Sequence, residues 1–322
     1  MIFKNKFPLK MMLFFISMYA GQTKLLKGSE NMIEGLFYLD SQPISIEIQD
    51  GKIGRISRLS QLENSANNKR YIAPGFIDIQ VNGYVSVGFS SDDLTVDGVR
   101  KVTHALWKVG VTSYLPTVIT SSNEQLRKSF KILAEAVRDP EIGQCIPGFH
   151  LEGPYISPEV GYRGAHPKKW IRPPDWDEFS ELNRIAENKI ILVTVAPEQQ
   201  DAGDFIRKCA QQGIVVALGH HNSSAAQIKS AADNGAALST HLGNGCANMI
   251  NRHENVLWPQ LAEDRLMISI IADGFHLRPE EVTTFYKAKR VHRVILVSDM
   301  TKFAGMPAGR YSWLDTEIEV TP

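Results

Sequence analysis

Two histidines, His220 and His241, each close a short apolar run, and one helix-length segment separates the runs. Ile214-Val215-Val216-Ala217-Leu218 is rich in β-branched residues and stops at Gly219-His220, and Ala236-Ala237-Leu238-Ser239-Thr240 stops at His241. The stretch between them opens at Ser223-Ser224, where serine is a good N-cap, and closes at Asn234-Gly235, a good C-terminal stop. This pattern predicts strand–helix–strand with a histidine at the carboxyl end of each strand. In a parallel sheet both ends lie on one edge, so the two imidazoles share one space. Neutral imidazole is a common ligand for zinc or iron. Either histidine alone reads as a polar loop residue; the pair reads as a metal site once a carboxylate joins it.

The elements that must position such a site recur along the chain. Strand-like runs fall at 72–80, 113–118, 146–151, 190–195, 214–218, 236–240, 267–272 and 294–298. Helix-length segments fall between them, near 93–109, 123–138, 177–187, 201–212, 223–234, 256–264 and 279–288. Strands alternating with helices in this way predict an α/β fold, a (β/α)8 TIM-like barrel of the metal-dependent hydrolase type. The rival is a doubly wound open sheet, but no Gly-x-Gly-x-x-Gly turn follows the first strand. Ahead of the barrel, Ile44-Ser45-Ile46-Glu47-Ile48 alternates apolar and polar, and Asp50-Gly51 marks a hairpin turn. The expected division is an extension over 1–30, a small β unit over 31–65 and the barrel over 66–322. Glu317-Ile318-Glu319-Val320 reads as a strand just beginning, and little chain follows the eighth strand to form an eighth helix, so the carboxyl end is expected to be incomplete.

In a barrel, chemistry collects at the carboxyl ends of the strands. Those ends supply Asp78 to Gly83, His150-Leu151-Glu152, Ala196-Pro197-Glu198, His220, His241, Asp273 to His276, and Ser298-Asp299. Glu152, His220 and His241 make a three-ligand set with room for water, the arrangement of a hydrolytic metal site. Asp299 is then available as general base. Glu152 could instead pair with a cation such as Arg163, and Asp299 could be an N-cap. Four chemically matched groups at four strand ends favour the site.

Composition narrows the function classes. With 322 residues, 43% of them hydrophobic, the chain can bury a large core. Its formal net charge is zero, which implies no bulk attraction to nucleic acid or anionic membranes. Cys145, Cys209 and Cys246 show no C-x-x-C spacing, so neither a disulfide framework nor a thiolate zinc site is expected. Lys4, Lys6 and Lys10 precede the apolar run Met11 to Ala20, which resembles a secretory signal but is too short to span a bilayer. A misassigned start, with Met32 as the true one, is the favoured explanation, and a cytoplasmic location is expected with export left open.

The motifs Ala73-Pro74-Gly75-Phe76-Ile77-Asp78, His150-Leu151-Glu152-Gly153-Pro154, Gly164-Ala165-His166, Leu218-Gly219-His220, Thr240-His241-Leu242, Ile271-Ala272-Asp273-Gly274-Phe275-His276 and Val297-Ser298-Asp299 together resemble the amidohydrolase superfamily. Within it they resemble the N-acetylglucosamine-6-phosphate deacetylases. The resemblance covers about residues 71 to 300. It implies one divalent metal, zinc or iron, on Glu152, His220 and His241, with Asp299 as catalytic acid/base. It implies substrate contacts from His166, His276, Asn244 and Gly245, and a phosphate contact from Arg252 reaching across a homodimer interface. It implies that later chain segments join the amino-terminal strands in a small β-sandwich, here partial. Many amidohydrolases carry His-x-His after the first strand to hold a second metal. Here Gln80 and Asn82 stand in those places, as in single-metal members, and amides are poor ligands beside imidazole. Asn244-Gly245-Cys246 departs from the family's usual Asn-Ala-Met, in a loop that contacts sugar and phosphate.

The expected function is therefore metal-dependent deacetylation of an N-acetylated amino sugar, foremost N-acetylglucosamine 6-phosphate. The alternatives are an amidohydrolase acting on another N-acyl substrate, such as an N-acyl amino acid, or a catalytically impaired homologue. No nucleic-acid partner and no stable membrane association are expected. A chain begun at Met32 should fold as well as the full sequence; a large loss of soluble protein on removing residues 1–31 would contradict this reading.

Overall fold

The alternating residues of the first strands form a four-stranded sheet. Its strands are Met32–Phe37, Pro43–Gln49, Lys52–Arg58 and Tyr71–Ile72. Pro43–Gln49 pairs antiparallel with both neighbours, and Ile44 and Ile46 are buried where the pleat repeats every second residue. Asp50 and Gly51 both take positive φ, 52° and 72°, the conformation a two-residue hairpin turn requires. The structure is a computed structural model and describes residues 32–62, 70–313 and 316–321. The signal-like reading of residues 1–30 lies outside the described residues.

The expected eight-stranded sheet is present. Its strands are β1 (Phe76–Val81), β2 (Val111–Ile119), β3 (Phe149–Glu152), β4 (Ile190–Val195), β5 (Val215–Leu218), β6 (Leu238–Ser239), β7 (Met267–Ile270) and β8 (Val294–Leu296). They lie side by side in chain order. A parallel bridge from Val81 to Met300 brings β1 back to the chain leaving β8, with Asp299 N donating to Gln80 O at 3.0 Å. Helices α1 (Val96–Lys108), α2 (Asn123–Ala136), α3 (Trp176–Ile185), α4 (Ala202–Gln211), α5 (Ala225–Asp233), α6 (Leu257–Ala262) and α7 (Pro279–Lys289) fill the connections. By packing, the chain divides into one unit running to Ile77 with Leu106–Ser113, and a second of Asp78–Ala105 with Tyr114 onward. No helix among the described residues is long and apolar enough to cross a membrane.

Two expectations change in detail. The first strand does not run unbroken from Ile72. Tyr71–Ile72 pairs parallel with Leu36–Phe37 in the small sheet, and β1 starts only at Phe76. Pro74 has no N–H to give a ladder, and a Cβ on Gly75 would sit 2.0 Å from Thr112 Oγ1, so the chain turns between the two strands. The strand seen beginning at Glu317 is one arm of a hairpin, Thr316–Val320 against Gly309–Trp313.

The inside of the barrel is layered. Leu115, Leu192, Ala217 and Leu238 form an apolar cluster. Two residues further along three of these strands stand Thr117, Thr194 and Thr240, on the same face by the two-residue period. Their hydroxyls meet His150 of β3: Nε2 lies 2.8 Å from Thr194 Oγ1, which lies 2.8 Å from Thr240 Oγ1. Burial pushes His150 down to about 4, so it is a neutral hydrogen-bonding ring. Two residues beyond His150 comes Glu152. Thr194→Val keeps the shape but strands His150 and Thr240 without their shared partner. It should cost about 1–3 kcal/mol, read as a lower urea midpoint at unchanged slope.

Candidate metal centre

The strand ends place the chemistry by an unusual backbone. His220, His241 and Asp299 all take left-handed φ, at 51°, 29° and 51°. Each turns out of its strand sharply enough to aim its side chain at the mouth instead of along the ladder. Gly219 permits the turn at β5, because a Cβ there would meet Thr194 Cγ2 at 2.7 Å and Thr240 Cβ at 2.8 Å. On the following side, α5 is anchored by a reciprocal capping box between Ser224 and Gln227.

Glu152, His220 and His241 come together. Their ligand atoms all lie within 4.8 Å of one another, and all three residues are buried. His241 Nε2 is 3.0 Å from Glu152 Oε1 and 3.1 Å from His220 Nε2, and His220 Nε2 is 3.4 Å from the same Oε1. His220 Nδ1 lies 2.9 Å from the Tyr162 carbonyl, to which it donates, so its Nε2 is the nitrogen turned toward Glu152 and His241 and would be the one to hold a cation. Burial drives His241 downward, but the Glu152 hydrogen bond and the Asp299 and Glu152 charges outweigh it and raise it to about 9. Burial also opposes ionisation of Glu152, yet hydrogen bonds from His220 and His241 hold it well below the usual carboxylate range. This cluster favours a positive charge among its donors. Two imidazole nitrogens and one carboxylate oxygen, converging and buried, fit a divalent cation. Glu152 does not pair with Arg163, whose Nη1 donates to the His166 carbonyl at 3.1 Å.

Asp299 borders the cluster. It is pushed up to about 6 by burial and by the Glu152 charge, against the pull of His241. It is not an N-cap: its Oδ1 takes Asn82 Nδ2 at 2.6 Å and Gln80 Nε2 at 3.0 Å. Gln80 Nε2 also reaches Glu152 Oε1 at 2.8 Å. The amides at the positions of the family's His-x-His thus act as donors to carboxylates. Asp78, one pleat before Gln80, is buried and accepts from Gln80 N and Ser298 N, tying β1 to the end of β8.

His166 joins the site through the loop after β3. Its ring centroid lies 4.4 Å from that of His220, and its Nδ1 is 2.7 Å from Thr120 Oγ1. Burial, then the His220 charge, push it down to about 3, so it is neutral. Asn244 and Gly245 also lie at the cluster. Asn244 N donates to His241 O at 2.9 Å, and its Nδ2 is buried without a partner. His276 and Arg252 do not reach the cluster among the described residues. His276 is half exposed, with Nδ1 2.7 Å from Asp273 Oδ2, and Arg252 is exposed with its carbonyl accepting from Trp258 Nε1. Sequence reasoning missed the work of Glu198, which accepts from Asn222 N at 2.7 Å and from Ser223 Oγ and so pins the loop that follows His220. Its place at the end of β4 was the available signal.

Comparison with known proteins agrees with this geometry. Residues 71–308 match the model of the amidohydrolase family. The chain is 31% identical over 285 residues to the N-acetylglucosamine-6-phosphate deacetylase of Bacillus subtilis (strain 168), covering 85% of this chain and 70% of that protein. It is 29% identical to the N-acetylgalactosamine-6-phosphate deacetylase of Escherichia coli O157:H7, covering 85% of this chain and 71% of that one. Among solved structures it resembles the N-acetyl-D-glucosamine-6-phosphate deacetylase of Mycobacterium smegmatis, a point mutant in complex with N-acetyl-D-glucosamine-6-phosphate. The TM-score is 0.77 at 26% identity, over 91% of this chain and 77% of that one. The matched span contains β1 to β8 and every residue of the cluster, and the chain belongs to the amidohydrolase family.

Proposed function

We propose that the chain hydrolyses the acetamide of an N-acetylhexosamine 6-phosphate, N-acetylglucosamine 6-phosphate foremost, releasing glucosamine 6-phosphate and acetate. The observation that carries the reading is the buried Glu152–His220–His241 cluster with Asp299 at its edge, inside a barrel alike in sequence and shape to deacetylases of such sugars. Those three side chains would hold one divalent ion, zinc or iron, which when bound would supply Lewis acidity toward the amide carbonyl and water.

The chain's own groups do the rest. Asp299 takes the proton of the attacking water and returns it to the leaving nitrogen, so one carboxylate serves as base and then acid. Thr120 occupies one nitrogen of the neutral His166 ring; the other donates to the carbonyl oxygen as negative charge develops there. Asn244 offers its unpartnered Nδ2, and Gly245 its backbone, to the sugar. Arg252, exposed and beyond the ligands, meets the phosphate from a second copy of the chain, and His276 is a further substrate contact. Arginine suits a phosphate through two parallel N–H donors. A sugar phosphate carries charge that membranes exclude, which supports a cytoplasmic location. The Escherichia coli relative makes the galactosamine epimer a second reading, separated by assaying both sugars.

His220→Ala or His241→Ala should leave well under one metal ion per chain by elemental analysis and abolish hydrolysis; full occupancy in either variant would remove that ligand from the set. The wild type should hold one ion, and a chelator should inactivate it until metal is restored.

Asp299→Asn should keep metal and substrate but lose about 10²–10⁴-fold in kcat, more if the same group also serves as acid. Arg252→Ala should mainly raise KM for the phosphorylated sugar and barely change an unphosphorylated one. Equal losses on both substrates would refute the phosphate assignment.

A further inference from the structure

Gln80 is 1% exposed, yet it lies against two carboxylates. Its Nε2 is 2.8 Å from Glu152 Oε1 and 3.0 Å from Asp299 Oδ1. Asn82 Nδ2 is 2.6 Å from the same Oδ1 and 3.2 Å from the Asp299 carbonyl. Every acceptor in this set is an oxygen, and an ionised carboxylate can only accept. A flipped amide at either position would set oxygen against oxygen, so the chemistry fixes both orientations. Asn82 holds its orientation at a cost, because its own Oδ1 is left buried with no partner. The main chain adds a further tie, from Asp299 N to Gln80 O at 3.0 Å.

The two donors converge on one oxygen. A carboxylate oxygen has two in-plane lone pairs, and Oδ1 of Asp299 has both engaged by charge-assisted bonds. Among the described residues no hydrogen bond reaches Oδ2. We propose that Gln80 and Asn82 are positioning residues that saturate Oδ1 of Asp299 and leave Oδ2 as the oxygen that exchanges the proton with water and leaving group. Gln80 also locks Glu152 and Asp299 into one frame, its amide NH2 bridging a buried and a partly buried carboxylate that otherwise repel. The proposal rests on the deacetylase reading for the proton transfer, but not for the bridge to Glu152.

The two residues have separable signatures. Asn82→Ala touches only Asp299, so kcat on N-acetylglucosamine 6-phosphate should fall about 10–100-fold with KM and metal content unchanged. Gln80→Leu touches the ligand as well, so metal-free protein titrated with Zn2+ should show about 10–100-fold weaker binding for Gln80→Leu and wild-type binding for Asn82→Ala. Because both act through one oxygen, the Gln80→Leu/Asn82→Ala double variant should lose less kcat than the product of the single losses. Asn82→Asp preserves shape if the alanine variant does not fold; its like charge beside Oδ1 should lower kcat at least as far. Wild-type kcat in Asn82→Ala or Asn82→Asp, or a loss confined to KM, would overturn the assignment of Oδ2. Unchanged zinc binding in Gln80→Leu would overturn the bridge. A wild type inert on the sugar phosphate would instead sink the deacetylase reading, with the zinc titration still deciding the bridge.

Discussion

The structure turns on holding two carboxylates, buried Glu152 and partly buried Asp299, close together at the barrel mouth. Burying one such group unpaired is expensive, and burying two side by side is worse. The barrel resolves this by surrounding them with donors of different kinds. Glu152 receives His220 and His241, whose protonation or a bound cation supplies the compensating charge. Asp299 receives amide N–H groups, which burial and the Glu152 charge outweigh, pushing it up to about 6. Two carboxylates in one mouth thereby differ in proton affinity, Glu152 held low and Asp299 pushed up.

The deeper layers serve that arrangement. Leucines fill the barrel below, threonines and the neutral His150 form a hydrogen-bonded layer above them, and the ligands stand above that. From the leucines to the threonines, and from His150 to Glu152, the step is two residues along the strand, as the pleat dictates; His241 follows Thr240 directly and turns out of the strand. The cost appears at the strand ends, where His220, His241 and Asp299 all adopt left-handed backbone. Such conformations persist only where the surroundings over-determine them. Here the threonine layer, the Glu198 clamp on the loop after His220 and the Asp78 tie between β1 and Ser298 provide that determination.

Much of this was legible in the sequence, because it rests on period and punctuation. Apolar runs ending in histidine or a carboxylate marked the strand ends, and Ser224 and Asn234-Gly235 marked the bounds of α5. The break between Tyr71–Ile72 and β1 was hidden because Ile72 to Gln80 is apolar enough to read as one strand; Pro74 and the close approach of Gly75 to Thr112 decide otherwise. The amides of Gln80 and Asn82 were read only as poor ligands, since sequence shows residue type but not which end of an amide meets which oxygen. The substrate roles of Arg252 and His276 came from resemblance alone. Both lie in exposed loops whose position no strand period fixes.

The loop after β6 shows how a departure from the family pattern can have a packing cause. Gly245 stands where alanine is usual, and a Cβ added there would meet His220 N at 2.9 Å and His241 Cε1 at 3.2 Å. The first distance requires a shift, and the atom it meets is backbone of a metal-ligand candidate already held in a left-handed turn. Here the loop lies closer to the imidazoles than an alanine would permit. Its neighbour Asn244 is held there too, by its N–H to His241 O, while its side-chain amide stays buried and unpartnered. Glycine at 245 thus lets the loop rest directly on His220 and His241, coupling the position of the Asn244 amide to the geometry of the cluster.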